Sequence, residues 1–255
     1  MLKINGKTIT GVVYKGKRIQ RIMVGGKKYY DMYDGKIIGN ALEAGSISID
    51  GKTYNYGVGY FEISVGDLKS ARLSQLFNNK KISTITHLGI DTRRVTYMSS
   101  MFSGCNFLTS LDMSGFSTQN VTLMQSMFSG CGSLTSLDVS NFNTQNVTNM
   151  YYMFSGCGSL TSINLGDKFD ASKVSSVENM FQFCNSLKTI TGNIKNLSIS
   201  LNLSNCPLDH DSALRIINGL ATVTTAQTLT LRSTTKSTLS ATEKAVLINK
   251  GWTLA

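Results

Sequence analysis

The sequence predicts an α/β solenoid: stacked ~26-residue units, each adding a short helix and one strand of a parallel sheet. A small all-β module precedes the stack and an α/β cap follows it. Three observations predict this. VTYMSSMFSGC from Val95, VTLMQSMFSGC from Val121 and VTNMYYMFSGC from Val147 are near-copies. Glycine–lysine pairs recur at a steady spacing up to Lys36. After Pro207 the repeat stops and helix-capping signals begin. The expected division is 1–66, a β-meander and hairpin module; 67–206, the solenoid; and 207–255, its C-terminal cap.

In the first module, Gly6-Lys7, Gly16-Lys17, Gly26-Lys27 and Gly35-Lys36 are spaced 10, 10 and 9 residues apart. The segments 8–14, 18–24 and 28–32 between them are rich in β-branched and aromatic side chains. Such spacing reads as tight turns of a β-meander. A further hairpin is expected at 46–56, turning on Asp50-Gly51. Short strands with few residues for a core present open edges, which invite pairing with another chain. Residues 1–36 hold nine Lys/Arg against two Asp, whereas 103–206 hold four Lys against five acidic residues. A basic end opens the question of nucleic acid. No zinc-finger, helix-turn-helix or aromatic–glycine RNA signature accompanies it, so lysines that solvate strands and turns are the simpler account.

In the repeat, Cys105, Cys131, Cys157 and Cys184 are spaced 26, 26 and 27. The extra residue falls around 167–169. A looser copy, VSSVENMFQFC, starts at Val174, and a degraded one runs from Leu76-Phe77 through Ile82 and Ile85. Val147, Met150, Met153 and Phe154 fall at i, i+3, i+6 and i+7, one face of a short helix. Gly156 sits where a left-handed residue would end it. In the second half, Leu137 and Val139 flank Asp138, so they share one side of a strand. One such unit cannot bury its own apolar face. Stacking does it, with Leu137 between Leu111 and Ile163, and Phe128 between Phe102 and Phe154. The period lies within the ~20–29 residues of leucine-rich repeats.

At the C-terminal end, 209–220 reads as a helix with apolar Leu214, Ile217 and Leu220. The segment 227–232 alternates as a strand. Ser240 and Glu243 form a capping box that opens a second helix, and Gly251 closes it. A stack needs such a cap to hide the apolar face of its last coil.

The 255 residues are 41% apolar and only 16% charged, below the usual ~25%. Ser and Thr number 31 and 26, so hydroxyls and amides rather than charges make the polar surface. No run of ~18 apolar residues occurs, so no membrane insertion is expected. The start has no apolar stretch of the ~7–15 residues of a signal peptide, so cytoplasmic synthesis is the expectation. Five cysteines, an odd number, read as free buried thiols. Structural zinc draws close cysteine pairs to one point, whereas single cysteines along a stack diverge; no metal or cofactor is expected. Cys206 falls outside this ladder. Met98/Met101, Met124/Met127 and Met150/Met153 read as core filler. His87 and His210 are isolated, and no G-x-S-x-G, HExxH, P-loop or Rossmann motif occurs. No catalytic residue and no enzymatic activity are therefore expected. Asn120-Val-Thr122 and Asn146-Val-Thr148 match the glycosylation sequon but read more simply as turn and helix-start residues. The exposed strand face supplies the candidate ligand-binding residues: Thr109, Asp112, Thr135, Asp138, Thr161 and Asn164, with Thr191 one coil further. Stacked aspartates repel unless solvated or bridged by a cation or hydroxylated ligand. A sugar suits such a surface, and a plain solvated face is the alternative.

The segment 127–150, MFSGCGSLTSLDVSNFNTQNVTNM, resembles the BspA-like leucine-rich repeats of bacterial surface proteins, and the resemblance covers roughly 74–206. It implies a binding or adhesion scaffold rather than an enzyme. The N-terminal pattern through Val13-Tyr14, Ile22-Met23-Val24 and Tyr29-Tyr30 resembles short β modules at the starts of bacteriophage tail and fibre proteins. The segment 207–255 resembles the closing part of repeat proteins encoded by phages and prophages of gut bacteria. These resemblances imply a virion structural protein of the tail or fibre, assembled in the bacterial cytoplasm. Residues 1–66 would contact other virion proteins or further copies of the chain. The solenoid would contact a host-surface glycan or protein. The alternative is a bacterial cell-surface adhesin whose export signal is not in this sequence.

Overall fold

The computed structural model describes residues 36–65 and 71–255, with the backbone of four short strands between residues 2 and 29. The fold is repeat-rich and β-rich, built from small sheets. Its three helices among the described residues all follow Asp209.

Strands β1 (Leu2–Ile4), β2 (Lys7–Thr10), β3 (Ile22–Val24) and β4 (Lys27–Tyr29) form an antiparallel sheet in chain order, a meander as expected. The glycines of the expected turns, Gly6, Gly16, Gly26 and Gly35, lie outside the described residues. Strand β5 (Lys36–Ala41) is followed by the expected hairpin, β6 (Gly45–Ile49) and β7 (Lys52–Tyr56). It turns on Asp50 and Gly51 at φ of 51° and 74°, the double positive φ of a type I′ turn. Strand β8 (Gly59–Ser64) returns antiparallel to β5.

The other edge of β5 pairs antiparallel with β9 (Ile82–Leu88), the first strand of the repeats, and β10 (Ser110–Leu111) adds parallel to β9. Buried Ile37, Phe61 and Ile63 join Ile82, Ile85 and Leu88 in one continuous core. The hairpin segment thus closes the first end of the repeats.

Strands β11 (Ser136–Asp138), β12 (Ser162–Asn164) and β13 (Thr189–Thr191) form a parallel sheet, with Leu137 opposite Ile163 and Ile163 opposite Ile190. Leu111 pairs with Ile85, and β10 and β11 lie in separate sheets, so the strand ladder is interrupted there.

The helix expected in the first half of each unit does not form. Residues 99–104 and their equivalents are consecutive turns. Ser100, Ser126, Tyr152 and Asn179 sit at φ between 54° and 57°, a left-handed conformation that stops a helix after one turn. The N–H groups alternate in direction. Those of Met101 and Ser103 donate three residues back, to the carbonyls of Met98 and Ser100. Those of Met98, Ser100, Phe102 and Gly104 donate to the carbonyls of Leu123, Gln125, Met127 and Ser129 on the next coil, at 2.7–3.0 Å. The pattern recurs through Phe128 to Met153 and Phe154 to Met180, both at 2.9 Å. A helix would satisfy only itself; this wall also stitches coil to coil.

The apolar spacing nevertheless identifies the buried face. Val147, Met150, Met153 and Phe154 are fully buried, as are Met127 and Phe128, while Asp138 is exposed. Phe77, Phe102, Phe128, Phe154 and Phe181 stack with centroids 5.2–5.7 Å apart. A third line, absent from the sequence expectations, is made by buried Thr92, Thr118 and Thr144. The Thr118 hydroxyl donates to the Asn143 carbonyl at 3.0 Å and accepts the Asn143 N–H at 2.8 Å. Thr92 and Thr144 repeat this with Ser117 and Asp170.

After the last turn wall come β14 (Leu201–Leu203), α1 (His210–Gly219), β15 (Gln227–Leu231), α2 (Ser233–Thr238), α3 (Ala241–Asn249) and β16 (Trp252–Leu254). The three strands are parallel in chain order. Asp209 caps α1 by accepting the Ser212 N–H at 2.8 Å. The Ser240–Glu243 capping box opens α3, and Gly251 follows it at φ 84°. The helix from 209, the capping box and the closing Gly251 match expectation, whereas the Asp209 cap, α2, β14 and β16 were not read from the sequence. Helix α1 covers the edge of β13: the Ser212 hydroxyl accepts the Ile190 N–H at 2.8 Å and lies 3.4 Å from the Ile190 carbonyl. This blunts an edge that would otherwise template pairing.

Candidate functional site

The strands place Thr109, Asp112, Thr135, Asp138 and Thr161 in the open and leave Asn164 half-buried. Asp138 and Asn164 are brought side by side across β11 and β12. Thr109 and Asp112 flank β10, beyond the break in the ladder. Much of their polar capacity is used internally. Thr109 Oγ1 donates to the Ser83 carbonyl at 3.0 Å and Thr161 Oγ1 to that of Thr135 at 2.9 Å. Asp112 Oδ1 accepts the Ser114 N–H at 2.9 Å, and Asp138 Oδ1 that of Ser140 at 2.8 Å. Asn164 Nδ2 donates to Asp138 Oδ2 at 3.3 Å, and Thr191 Oγ1 donates to Asn164 Oδ1 at 3.0 Å. Partial burial pushes the Asp138 carboxyl up, but the hydrogen bonds from Ser140 and Asn164 outweigh it and hold the pKa below the usual range. These side chains close the turn after each strand. Asx residues two positions ahead of their donor carry that signal in sequence.

The turn wall differs in chemistry. Tyr97, Leu123, Asn149 and Ser176 line up through successive parallel bridges. The Arg72 guanidinium lies 4.6 Å from the Tyr97 ring centroid. Tyr151 and Tyr152 meet edge to face, with centroids 4.1 Å apart and planes at 77°. The Tyr152 N–H donates to the Glu178 carbonyl at 3.0 Å, which seats the pair against the following coil. Gln125 Oε1, on the same wall, is buried without a hydrogen-bond partner among the described residues.

Beyond Glu178 the wall opens into a groove of ≈ 410 Å³ between the last turn segment, β14 and β15. Ser176, Glu178, Asn179, Asn202, Thr228 and Thr230 line it. Ser200 braces its floor, its N–H and hydroxyl both donating to Gln227 Oε1 at 2.9 and 3.0 Å. Sequence reading missed this groove because it forms only where the turn wall gives way to true strands. No local motif announces that change.

The cysteine ladder is structural. The thiols of Cys105, Cys131, Cys157 and Cys184 donate to the carbonyls of Phe77, Phe102, Phe128 and Phe154 at 2.9–3.2 Å. Cys206, expected to stand outside, continues the ladder with its sulfur 3.8 Å from the Phe181 carbonyl. The shorter spacing after Cys184 hid it. Burial pushes these thiols up, Cys105 to about 11 and Cys184 to about 12, so at neutral pH they are inert apolar filler. His210 Nε2 lies 3.2 Å from Glu243 Oε1 and joins α1 to α3. Asn120 and Asn146 of the two sequons donate to the Arg93 and Gln119 carbonyls of the preceding coil.

No helix among the described residues is long and apolar enough to cross a membrane. Comparison with curated proteins and with solved structures returned no match. Residues 71–194, the repeated region, match the family model described as "Mycoplasma protein of unknown function, DUF285", a match consistent with a BspA-like repeat protein.

Proposed function

We propose that the chain is a leucine-rich-repeat solenoid that acts as a non-enzymatic binding scaffold, displaying its outer walls to a molecule on a host cell surface. One observation carries this reading. Each coil commits its stacked Phe, its Met and its Cys to a fully buried core, leaving outer walls of hydroxyl, amide and aromatic groups, exposed Phe107 and Phe183 among them. Such a stack holds many exposed side chains in fixed register, so weak contacts add along its length.

The proposed setting is a bacteriophage virion, in its tail or fibre, and the resemblances of 13–30 and 207–255 support it. In that setting residues 1–66 contact other virion proteins or further copies of the chain. Strand β8 supports the assignment: it ends its sheet and carries exposed Tyr60, with exposed Val58 just before it. A second reading, a bacterial cell-surface adhesin, draws support from the match to a family described from Mycoplasma. Antibody raised against the full chain decides between them. Labelling of purified phage particles supports the virion reading. Labelling of intact bacteria free of phage supports the adhesin reading. Failure of the full chain to bind any cell surface would overturn the scaffold function common to both.

A further inference from the structure

Three near-identical coils act as an internal record of which positions are held constant and which are free to change. Along the strand wall the residues scarcely differ: Thr109-Ser110, Thr135-Ser136 and Thr161-Ser162 are the same, and Asp112, Asp138 and Asn164 differ only by an amide. The side chains of Thr109, Thr161, Asp112, Asp138 and Asn164 make the internal hydrogen bonds described above, and that duty accounts for the constancy at those positions. Along the turn wall the buried positions are equally constant, with Met98, Met124 and Met150 beside Phe102, Phe128 and Phe154. The outward positions are not. Tyr97, Leu123, Asn149 and Ser176 occupy one row; Ser99, Gln125, Tyr151 and Glu178 occupy the next. The third row, Ser100, Ser126, Tyr152 and Asn179, is left-handed throughout, and Tyr152 at φ 54° is the one bulky residue in it. A tyrosine is poorly suited to that backbone. Its presence there calls for a reason other than folding, because serine or asparagine serves in the other coils.

We infer that the turn wall, not the strand wall, is the recognition face, and that its ligand is an uncharged carbohydrate chain lying from the Tyr151–Tyr152 pair into the adjoining groove. The inference deepens the binding-scaffold reading and rests on it. Three features select this ligand class. Tyrosine offers a flat amphipathic surface at low entropic cost, and an edge-to-face pair presents a ring face and a hydroxyl together. The groove supplies hydroxyls and amides. Those of Ser176, Thr228 and Thr230 engage no other protein group among the described residues, and Asn202 uses only its oxygen, accepting the Ser204 N–H. Among the groove residues Glu178 alone carries charge, so nothing there pairs with a phosphate, sulfate or uronate. The groove volume of ≈ 410 Å³ falls in the range of small-ligand sites.

The test uses the full chain, fluorescently labelled, on an array of neutral oligosaccharides (glucans, mannans, galactans and N-acetylhexosamine oligomers) beside sulfated, sialylated and uronate-bearing ones. The expected result is binding to a neutral member, weakened about tenfold or more in the Tyr151→Ala/Tyr152→Ala variant, as for truncated aromatic anchors. Thr228→Val is expected to weaken it less, and Thr135→Ala/Asp138→Ala to leave it within about twofold. Unchanged far-ultraviolet circular dichroism shows that each variant is folded. Loss in the strand-wall variant with retention in the tyrosine variant overturns the choice of face. Preference for acidic members, or no glycan binding at all, overturns the ligand class. In parallel, the unaltered chain is tested on whole bacterial cells: binding there without glycan binding defeats this inference alone, whereas no cell binding defeats the scaffold reading itself.

Discussion

The turn segment 98–105 and helix α1 carry the same apolar rhythm and fold differently. Met98, Met101, Phe102 and Cys105 are buried at i, i+3, i+4 and i+7, and so are Ala213, Ile216, Ile217 and Leu220. Spacing therefore decides which face is buried, not which backbone buries it. Two further facts decide the backbone. Helix α1 has an Asp209 cap and ten residues without a left-handed break, whereas 98–105 is interrupted at Ser100 and Gly104. The turn segment also has a neighbouring coil on each side with carbonyls and N–H groups in register, while α1 lies against the last strand of the sheet. In a stack, hydrogen bonds between coils outbid the helix; at its end, the helix wins.

The largest test of this contrast is Phe128→Ala. Its ring stacks on both Phe102 and Phe154 at 5.7 Å, and truncation is expected to cost about 3–5 kcal/mol. Leu247→Ala, in α3 of the cap, is expected to cost about 2–3 kcal/mol. Urea unfolding of the two variants compares them. An equal cost would mean that the stacked rings add nothing beyond ordinary burial.

Two glycines sharpen the same point about neighbours. Gly166 and Gly51 have φ of 67° and 74°. A Cβ on Gly166 would lie 2.3 Å from the Ser140 carbonyl oxygen of the preceding coil, whereas on Gly51 it would meet nothing within 4 Å. Gly51→Ala is expected to cost about 1–2 kcal/mol for the left-handed backbone alone. Gly166→Ala should cost about 2–4 kcal/mol, because the backbone of two coils must separate. Matching melting temperatures for the two variants would show that the coils are not held at this spacing.

Thr118→Val strips the half-buried backbone N–H and carbonyl of Asn143 of their shared, buried partner and is expected to cost about 2 kcal/mol. Ser240→Ala removes only an exposed cap on α3, at about 1 kcal/mol. Thermal unfolding ranks them. A smaller loss at Thr118 would mean that water reaches the threonine line and satisfies those groups.

How much was legible follows from where each signal resides. Caps and tight turns are local, so Ser240 with Glu243, Gly251 and Asp50-Gly51 announced themselves. Burial periodicity is also local, so the Phe, Met and Cys lines were readable. The turn wall was misread as helix because its hydrogen bonds run to residues 25 or 26 positions away, which no window within one unit contains. The threonine line escaped for the same reason, since the partner of Thr118 lies one coil away, whereas Cys206 escaped because it follows Cys184 at a spacing shorter than the repeat. On the candidate strand face, Thr109, Asp112, Thr135, Asp138 and Thr161 lie in the open as read, while Asn164 is half-buried. The sequence did not show that Asp138 and Asn164 are already bound to each other and to their own turns.

Acidification tests that internal role. Asp138, Asp170 and Asp209 each feel a partial burial that pushes the carboxyl up. The hydrogen bonds they accept from Ser140, Ser172 and Ser212 prevail, and all three end below the ordinary value. A folded-state pKa lower than the unfolded one, about 3.9, gives stability that is present above the unfolded value and is lost as pH falls through the folded one. The melting temperature should therefore fall below about pH 4. The triple Asp→Asn variant, which keeps an acceptor oxygen at each position, should show a flatter profile. An unchanged profile would place acid sensitivity elsewhere.

The smallest effect bears most directly on the turn wall. Tyr152 occupies the left-handed position that Ser100, Ser126 and Asn179 fill in other coils. Asparagine tolerates this conformation better than most residues, because its short amide bonds locally. Removing the ring also forfeits its edge-to-face contact with Tyr151, which is worth at most about 0.5–1.5 kcal/mol and less at a half-exposed site. Tyr152→Asn is therefore expected to change stability little, with a net gain of about 0.5 kcal/mol. Tyr152→Ala loses the ring without the backbone relief and should fall below Tyr152→Asn by about 0.5–1 kcal/mol. Both should lose ligand binding alike. A Tyr152→Asn protein that melts well below the parent would make the tyrosine a structural link between coils. The strained residue would then no longer argue for recognition on this wall.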